Sequence, residues 1–345
     1  MLFEALAANQ KTCDNRPMIA RFDLTAIDKL KEALPRFTHK PLPHLSYLKP
    51  DQIEGYWLDE ITQELTKECS TAFASYAEDR INGLVLYGDS PWDTKVVGKP
   101  VAVIKYFVGT GADDSSVLDQ LLDEVLRHAA SRGIHLLTGK VQPLQIAAIH
   151  ALERHGFLLM DTLLDFFFDY SRTSFDKISP PQRLDGLHVR LATPEDLPEL
   201  LILTEIAFAK HFGRYNSDPR MPAGTGTKVY QEWVRSSFSG AADWILIAEV
   251  NGRIAGYSVW KKASALEIKH SFDIARCTLA GIHPEFFGHG LYTVLTFEGM
   301  RIAQKFANHL DGPAHVSHYP VHRAMLKLGW KLAGVRHSFH KWLND

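Results

Sequence analysis

Cysteine is scarce. The 345-residue chain holds three, Cys13, Cys69 and Cys277. They lie far apart with no C-x-x-C pair, which argues against a disulfide framework and a thiolate zinc site and points to a reducing compartment. No metal is expected. A surplus of one charge is also missing. The formal net charge is −2, so nothing draws the chain electrostatically to nucleic acid or an anionic membrane. Long hydrophobic runs are absent too. A membrane helix needs about 20 apolar residues; residues 158–170 come nearest, and Asp161, Asp165 and Asp169 interrupt them. The first residues carry Glu4 and no basic start, so no secretory signal is expected. These absences give the expectation of a cytoplasmic protein with no nucleic-acid partner and no membrane insertion.

What is present is a globular composition, 46% hydrophobic and 23% charged, in a chain long enough for two domains. The chain also contains itself twice. With Gly156 set over Gly329, residues 147–157 lie on residues 320–330 without a gap. The same offset lays residues 103–108 over 276–281, and Val117, Leu118, Leu121 and Leu122 over Gly290, Leu291, Val294 and Leu295. Each half reads as strand, loop, helix, strand, short helix ending at glycine, and strand. The boundary falls at residues 171–186, where serine, Pro180, Pro181 and Gly186 cluster.

After the boundary, residues 187–191 read as a strand, and Thr193-Pro194-Glu195-Asp196 as a helix start. Residues 244–250 and 254–260 flank Asn251-Gly252, a hairpin signal. In the first half, strands are expected at 83–87, 100–108, 135–141 and 159–169, with a helix over 51–77 ahead of them. The resulting division is residues 1–80 as a helical N-terminal extension packed on or part of the first domain, 81–175 as the first domain and 187–345 as the second.

The densest signal spans residues 277–302. An apolar run enters a loop containing Gly288 and Gly290, and the chain leaves along Leu291, Val294, Leu295, Met300 and Ile302. A strand, a Gly-x-Gly turn and a helix N-terminus gather backbone N–H groups around one point, which suits a pyrophosphate. Gly281 reads equally as a bulge or as a plain strand glycine.

Residues 187–345 resemble the GNAT family of acyl-CoA-dependent N-acyltransferases in element order, in the Gly288-His289-Gly290 loop and in the Gly329-Trp330 ending. Phe287 stands where the family usually has a basic residue, and Tyr292 where it has a small one. The resemblance implies an α/β (α+β) fold of two tandem GNAT-like domains, each with a mixed, largely antiparallel sheet flanked by helices. It implies acyl-CoA as co-substrate, either acetyl-CoA or a short hydroxyacyl-CoA. That molecule would lie along the strand at Gly281 and Ile282, with its pyrophosphate on Phe287, Gly288, His289, Gly290, Leu291 and Tyr292. A closer resemblance is to dTDP-aminodeoxysugar N-acyltransferases, carried by Trp92-Asp93 with Gly98, Arg214-Tyr215, Asp218-Pro219, Tyr230 and Trp233. It implies acyl transfer to the amine of a dTDP-linked amino-dideoxyhexose, at the third or fourth carbon, for surface polysaccharide synthesis. Trp92, Arg214, Tyr215, Asp218, Arg220, Tyr230 and Trp233 would meet this sugar nucleotide, although Tyr230 and Trp233, one helical turn apart, also read as a packed face.

The family's proton-donating tyrosine would stand at position 325, which is Met325 here; a thioether cannot donate a proton. Tyr319 and His318 are the alternative donors, and His318 the leading base, with His283, Glu285 and His289 behind it. The chain has 17 histidines, so any single one is more often a packing residue. At the place of the glycine loop the first half has Asp113 and Asp114. Acids there satisfy the helix dipole and repel a pyrophosphate, so that half is expected to be a scaffold, either one wall of the acceptor pocket or a homodimer surface. Two other readings stay open: the same fold acting on another small amine, and a non-catalytic tandem binding module. Gly290→Glu is expected to abolish acyl-CoA binding with the fold intact; unchanged affinity in a direct binding measurement would put the loop elsewhere.

Overall fold

Residues 158–169 alternate in a way only a strand can use. Met160, Phe166 and Phe168 are buried on one face, while Asp161, Leu163 and Asp165 share the other. In the computed structural model, which describes residues 18–111 and 115–343, they form one of two central strands in a twelve-stranded sheet. The first half supplies β1 (Met18–Phe22), β2 (Ser70–Ala77), β3 (Arg80–Asp89), β4 (Val101–Gly109), β5 (Leu136–Val141) and β6 (Leu158–Asp169). The second half supplies β7 (Leu187–Leu191), β8 (Trp244–Val250), β9 (Arg253–Lys262), β10 (Ile274–Ile282), β11 (His309–His315) and β12 (Lys331–Trp342). The order across the sheet is β1-β2-β3-β4-β5-β12-β6-β11-β10-β9-β8-β7.

The last strands have changed places. β12 pairs with β5 of the first half, β6 pairs with β11 of the second, and the two run antiparallel to each other. Leu163 faces Arg336 in that register. These two positions are equivalent in the internal repeat, since 336 − 163 and 329 − 156 are the same offset. The pseudo-twofold axis therefore passes through this pair. The cores follow the exchange. Phe339 of β12 packs with Leu121, Val125 and Leu137 of the first half. Phe166 and Phe168 of β6 pack with Phe297, Leu310 and Trp330 of the second.

Helices cover the sheet. The first half has α1 (Ile27–Ala33), α2 (Pro50–Leu65), α3 (Pro91–Val97), α4 (Ser115–Ser131) and α5 (Ile146–Arg154). In the second half are α6 (Leu197–Phe208), α7 (Arg214–Ser217), α8 (Thr225–Ser236), α9 (Ala265–Lys269), α10 (Leu291–Ala303) and α11 (Tyr319–Lys327). None among the described residues is long and apolar enough to cross a membrane.

Two expectations need correction. The helix expected over 51–77 ends at Leu65, and residues 70–77 form β2. Ala72 and Ala74 there are fully buried beneath Leu30 and Trp57, and pairing on both sides with β1 and β3 overrides alanine's helical preference. The bulge in β10 lies between Cys277 and Leu279 rather than at Gly281. Gly281 is glycine for another reason: an added Cβ would stand 2.7 Å from the Tyr257 ring.

Because the halves complete each other's cores, they should unfold together. Phe339→Ala leaves a cavity in the first-half core and is expected to cost about 3–5 kcal/mol in urea denaturation, in a single transition. Two separate transitions with an unchanged first half would contradict the exchange.

Candidate active site

β10 and β11 begin as parallel neighbours. Ile274, Ala275 and Arg276 pair with His309, Leu310 and Asp311, and there the pairing stops. Past the bulge, β10 continues to pair with β9, and β11 with β6. The facing edges of the two strands are left without each other, and main-chain groups so placed need a partner. A cavity of about 570 Å³ opens between them, with Cys277, Leu279 and Ala280 on one side and Pro313, Ala314 and His315 on the other.

The glycine turn joins the end of β10 to α10, whose Tyr292 lines the cavity. Gly288 has φ +82° and Gly290 φ +76°, and an added Cβ at either would meet nothing within 4 Å. Backbone conformation, not crowding, selects glycine at both places. Gly290 caps α10, so the first-turn amides of Leu291 and Tyr292 have no intrahelical acceptor. Phe287, Gly288, His289 and Gly290 are exposed, while Leu291 is core. Tyr292 turns from the helix into the cavity wall beside Cys277 and Met325, and burial raises its phenol pKa.

The opposite wall comes from several elements. Trp92 of α3 meets Trp233 of α8 edge-on, with ring centroids 6.4 Å apart, and both line the cavity. Tyr230 stacks on Phe208 at 4.0 Å. Arg214 reaches Asp93 at 3.3 Å and lies over the Tyr215 ring; Tyr215 also hydrogen-bonds Asp93. Asp161 of β6, Ser338 of β12 and Lys140 of β5 complete the wall.

Three histidines crowd one end. The rings of His211 and His318 are 4.7 Å apart, and His315 lies 5.7 Å from His318. Burial first, then the neighbouring imidazoles, drive the His211 and His318 pKa values down to about 4. His318 therefore lines the cavity as a neutral ring with little appetite for a proton. For His315, the Ser317 amide donates to Nδ1 at 3.2 Å, which leaves the ring proton on Nε2. That atom is buried without a partner, so it offers a hydrogen bond to whatever fills the cavity.

Other residues read from the sequence lie elsewhere. Tyr319 does not line the cavity and is 66% exposed. Asp218 is buried under β12, accepting from Trp342 at 2.9 Å and pairing with His340 at 2.8 Å. Arg220 lies over the Trp342 ring outside the cavity. Gly281 and Ile282 belong to the donor-side strand but not to the cavity wall. Asp113 and Asp114 fall outside the described residues.

No family model matches the chain. Solved structures with the same fold span nearly all of it. One is a GCN5-related N-acetyltransferase from Sphaerobacter thermophilus, with 12% identity, 96% of this chain and 97% of that one covered, and a TM-score of 0.63. Another is a tandem GNAT protein from the clavulanic acid biosynthesis pathway, with 13% identity, coverage of 95% and 99%, and a TM-score of 0.58. The fold is the tandem GNAT fold. Among curated proteins, the spore coat polysaccharide biosynthesis protein SpsD of Bacillus subtilis strain 168 is 25% identical over 188 residues. That match spans 53% of this chain and 59% of the relative's length.

The glycine turn lies between β10 and α10, and β10 and β11 part after Arg276 and Asp311. Sequence reading missed Lys140, Asp161, His211, His315, Arg336 and Ser338. Asp161 carried a signal, one of three acids in a largely apolar strand; the other five depend on which elements become neighbours.

The histidines also set a pH dependence. Their unfolded pKa is the ordinary 6.5, so between about 6.5 and 4 the unfolded chain binds protons that the folded one refuses. Stability should fall as pH drops through that window. Replacing both His211 and His318 by glutamine should flatten part of the decline in thermal unfolding; an unchanged profile would mean the rings are not held neutral.

Proposed function

We propose that the protein is an N-acyltransferase that uses acyl-CoA as donor and an amine on a nucleotide-linked amino-dideoxysugar as acceptor. The observation that carries this reading is the open split between β10 and β11 together with the exposed glycine turn that joins β10 to α10. An extended amide-bearing arm such as pantetheine can supply the pairing the split strands lack, and the turn with the α10 N-terminus can hold the pyrophosphate through main-chain N–H groups. A free N–H of β10 would then stabilise the carbonyl oxygen as it turns anionic. The neutral amine forms a bond to the acyl carbon, the C–S bond breaks, and the proton lost by the amine ends on the thiolate. The step consumes no net proton. Met325 cannot supply that proton, so Tyr292, on the same wall, is the phenol proposed for the task. The sugar acceptor is supported by the SpsD likeness, by the aromatic wall of Trp92, Trp233 and Tyr230, and by the motifs that carry the sequence resemblance.

The first half is proposed as scaffold. β4 and β5 also part, after the Ile104–Gly139 pair, and a cavity of about 460 Å³ opens there. Its wall carries Glu60 and Glu64 of α2 together with Lys105, Lys140, Arg214 and Arg336, and Glu64 is salt-bridged to Lys105.

Thiol release should be detected with acetyl-CoA or a short hydroxyacyl-CoA and one member of a panel of dTDP- and UDP-aminosugars. Turnover confined to non-sugar amines would sink the sugar reading, and binding without turnover would sink the enzyme.

A further inference from the structure

The strand exchange sets three side chains in a row. Ser338 of β12 is the register partner of Lys140 on β5 and of Asp161 on β6. Directly opposed residues share a face of the sheet, and all three line the same cavity. Each has unmet bonding capacity. Asp161 is buried, with Oδ1 unpartnered and Oδ2 taking the Arg214 amide at 2.9 Å. Ser338 is 1% exposed, and its Oγ has no partner. Lys140 has no ion-pair partner among the described residues. The outer members carry opposite charges yet form no salt bridge, their backbones standing two strand spacings, about 10 Å, apart.

The row is also oriented. Starting from the donor split, the strands run β11, β6, β12, β5. Asp161 is thus nearest the place where a thioester would lie, with the unpartnered His315 Nε2 on the neighbouring strand. Lys140 is farthest, reaching into the first-half cavity as well. Arg214 and Arg336 line both cavities beside it. Arg336 is held by Asp165 at 2.8 Å and Arg214 by Asp93, so Lys140 is the cation left over. Its side chain is exposed to the cavities rather than enclosed, so an anion entering beside it meets an open ammonium group.

We propose that the Asp161–Ser338–Lys140 row is the acceptor subsite, receiving an amine at Asp161, a hydroxyl at Ser338 and an anionic group, phosphate or carboxylate, at Lys140. This rests on the acyltransfer reading and deepens it. The acceptor is a hydroxylated amine with its negative charge at the end remote from the nucleophile, since the backbones of Asp161 and Lys140 stand two strand spacings, about 10 Å, apart. An amino sugar carrying a diphosphate meets that description. So does a hydroxylated amino acid derivative with a distant carboxylate.

Two probes separate the ends of the row. dTDP-glucose has the diphosphate but no amine. Its affinity, read by calorimetry, should fall tenfold or more in Lys140→Met, recover in Lys140→Arg and stay unchanged in Asp161→Asn. For an aminosugar nucleotide, Asp161→Asn should raise the acceptor KM tenfold or more while leaving the acyl-CoA KM as in the parent protein, and Ser338→Ala should give a smaller rise of the same kind. Circular dichroism and melting of each variant separate lost binding from lost folding, and Ser338→Ala is the mildest of the changes. If dTDP-glucose fails to bind the parent protein but Lys140→Met and Asp161→Asn still raise the KM of a carboxylate-bearing amine, the row stands and the nucleotide falls. If every variant handles acceptors like the parent protein while thiol release continues, the row is wrong and the acyltransfer reading survives.

Discussion

Everything in this molecule depends on the antiparallel pairing of β6 with β12. Without the exchange there would be two sheets, each missing a final strand and each with an incomplete core. With it, one continuous sheet runs through both halves, and the aromatic side chains of each last strand fill the other half's interior. The pairing also brings Arg336 onto Asp165 at 2.8 Å at the pseudo-twofold axis, a buried carboxylate matched by a guanidinium. A pair of this kind is costly to break from one side, so it favours this register over a slipped one.

The exchange has a chemical consequence as well as a structural one. It places the face of β6 and β12 beside the split between β10 and β11, and that face carries the acids, hydroxyl and cations of the cavity. Each last strand has a packing side and a polar side. Phe166 and Phe168 are buried on one side of β6 while Asp161 and Asp165 stand on the other. The alternation that builds the core therefore also builds the site, and no loop is needed to bring these groups together.

The sequence made much of the fold legible. The internal repeat at Gly156 and Gly329, the hairpin at Asn251-Gly252 and the glycine turn before α10 are local signals, and each became the element expected of it. β2 was missed because Ala72 and Ala74 carry a helical preference that only pairing between β1 and β3 overrides. The site was half legible for the same reason. Gly288, Gly290 and Tyr292 are neighbours along the chain, so their pattern announces itself. Lys140, Asp161 and Ser338 become neighbours only through strand exchange, and periodicity within one half says nothing about which strand the other half will donate. Asp218 and Arg220 misled in the opposite direction. Their motif lies beside Arg214 and Tyr215, but the chain turns after α7 and spends Asp218 on His340 and Trp342.

Pseudo-symmetry makes the difference between the halves informative. Both have a parallel strand pair that parts after a few residues, and both have a cavity in the gap. In the first half that gap is lined by α2, whose Glu64 is tied to Lys67 and Ser70 and whose Glu60 is bonded to Tyr56 at 3.1 Å. Burial raises the Glu60 pKa, as expected for an acid held in a confined space. In the second half the matching gap has main-chain edges, aromatic rings and neutral imidazoles. One gap is lined by the acids of α2 and the other by open main-chain edges. Lys140, Arg214 and Arg336 border both, so the charges of one gap are felt in the other. On that arrangement the first half does more than support the second: it supplies the far end of the surface on which an acceptor can lie.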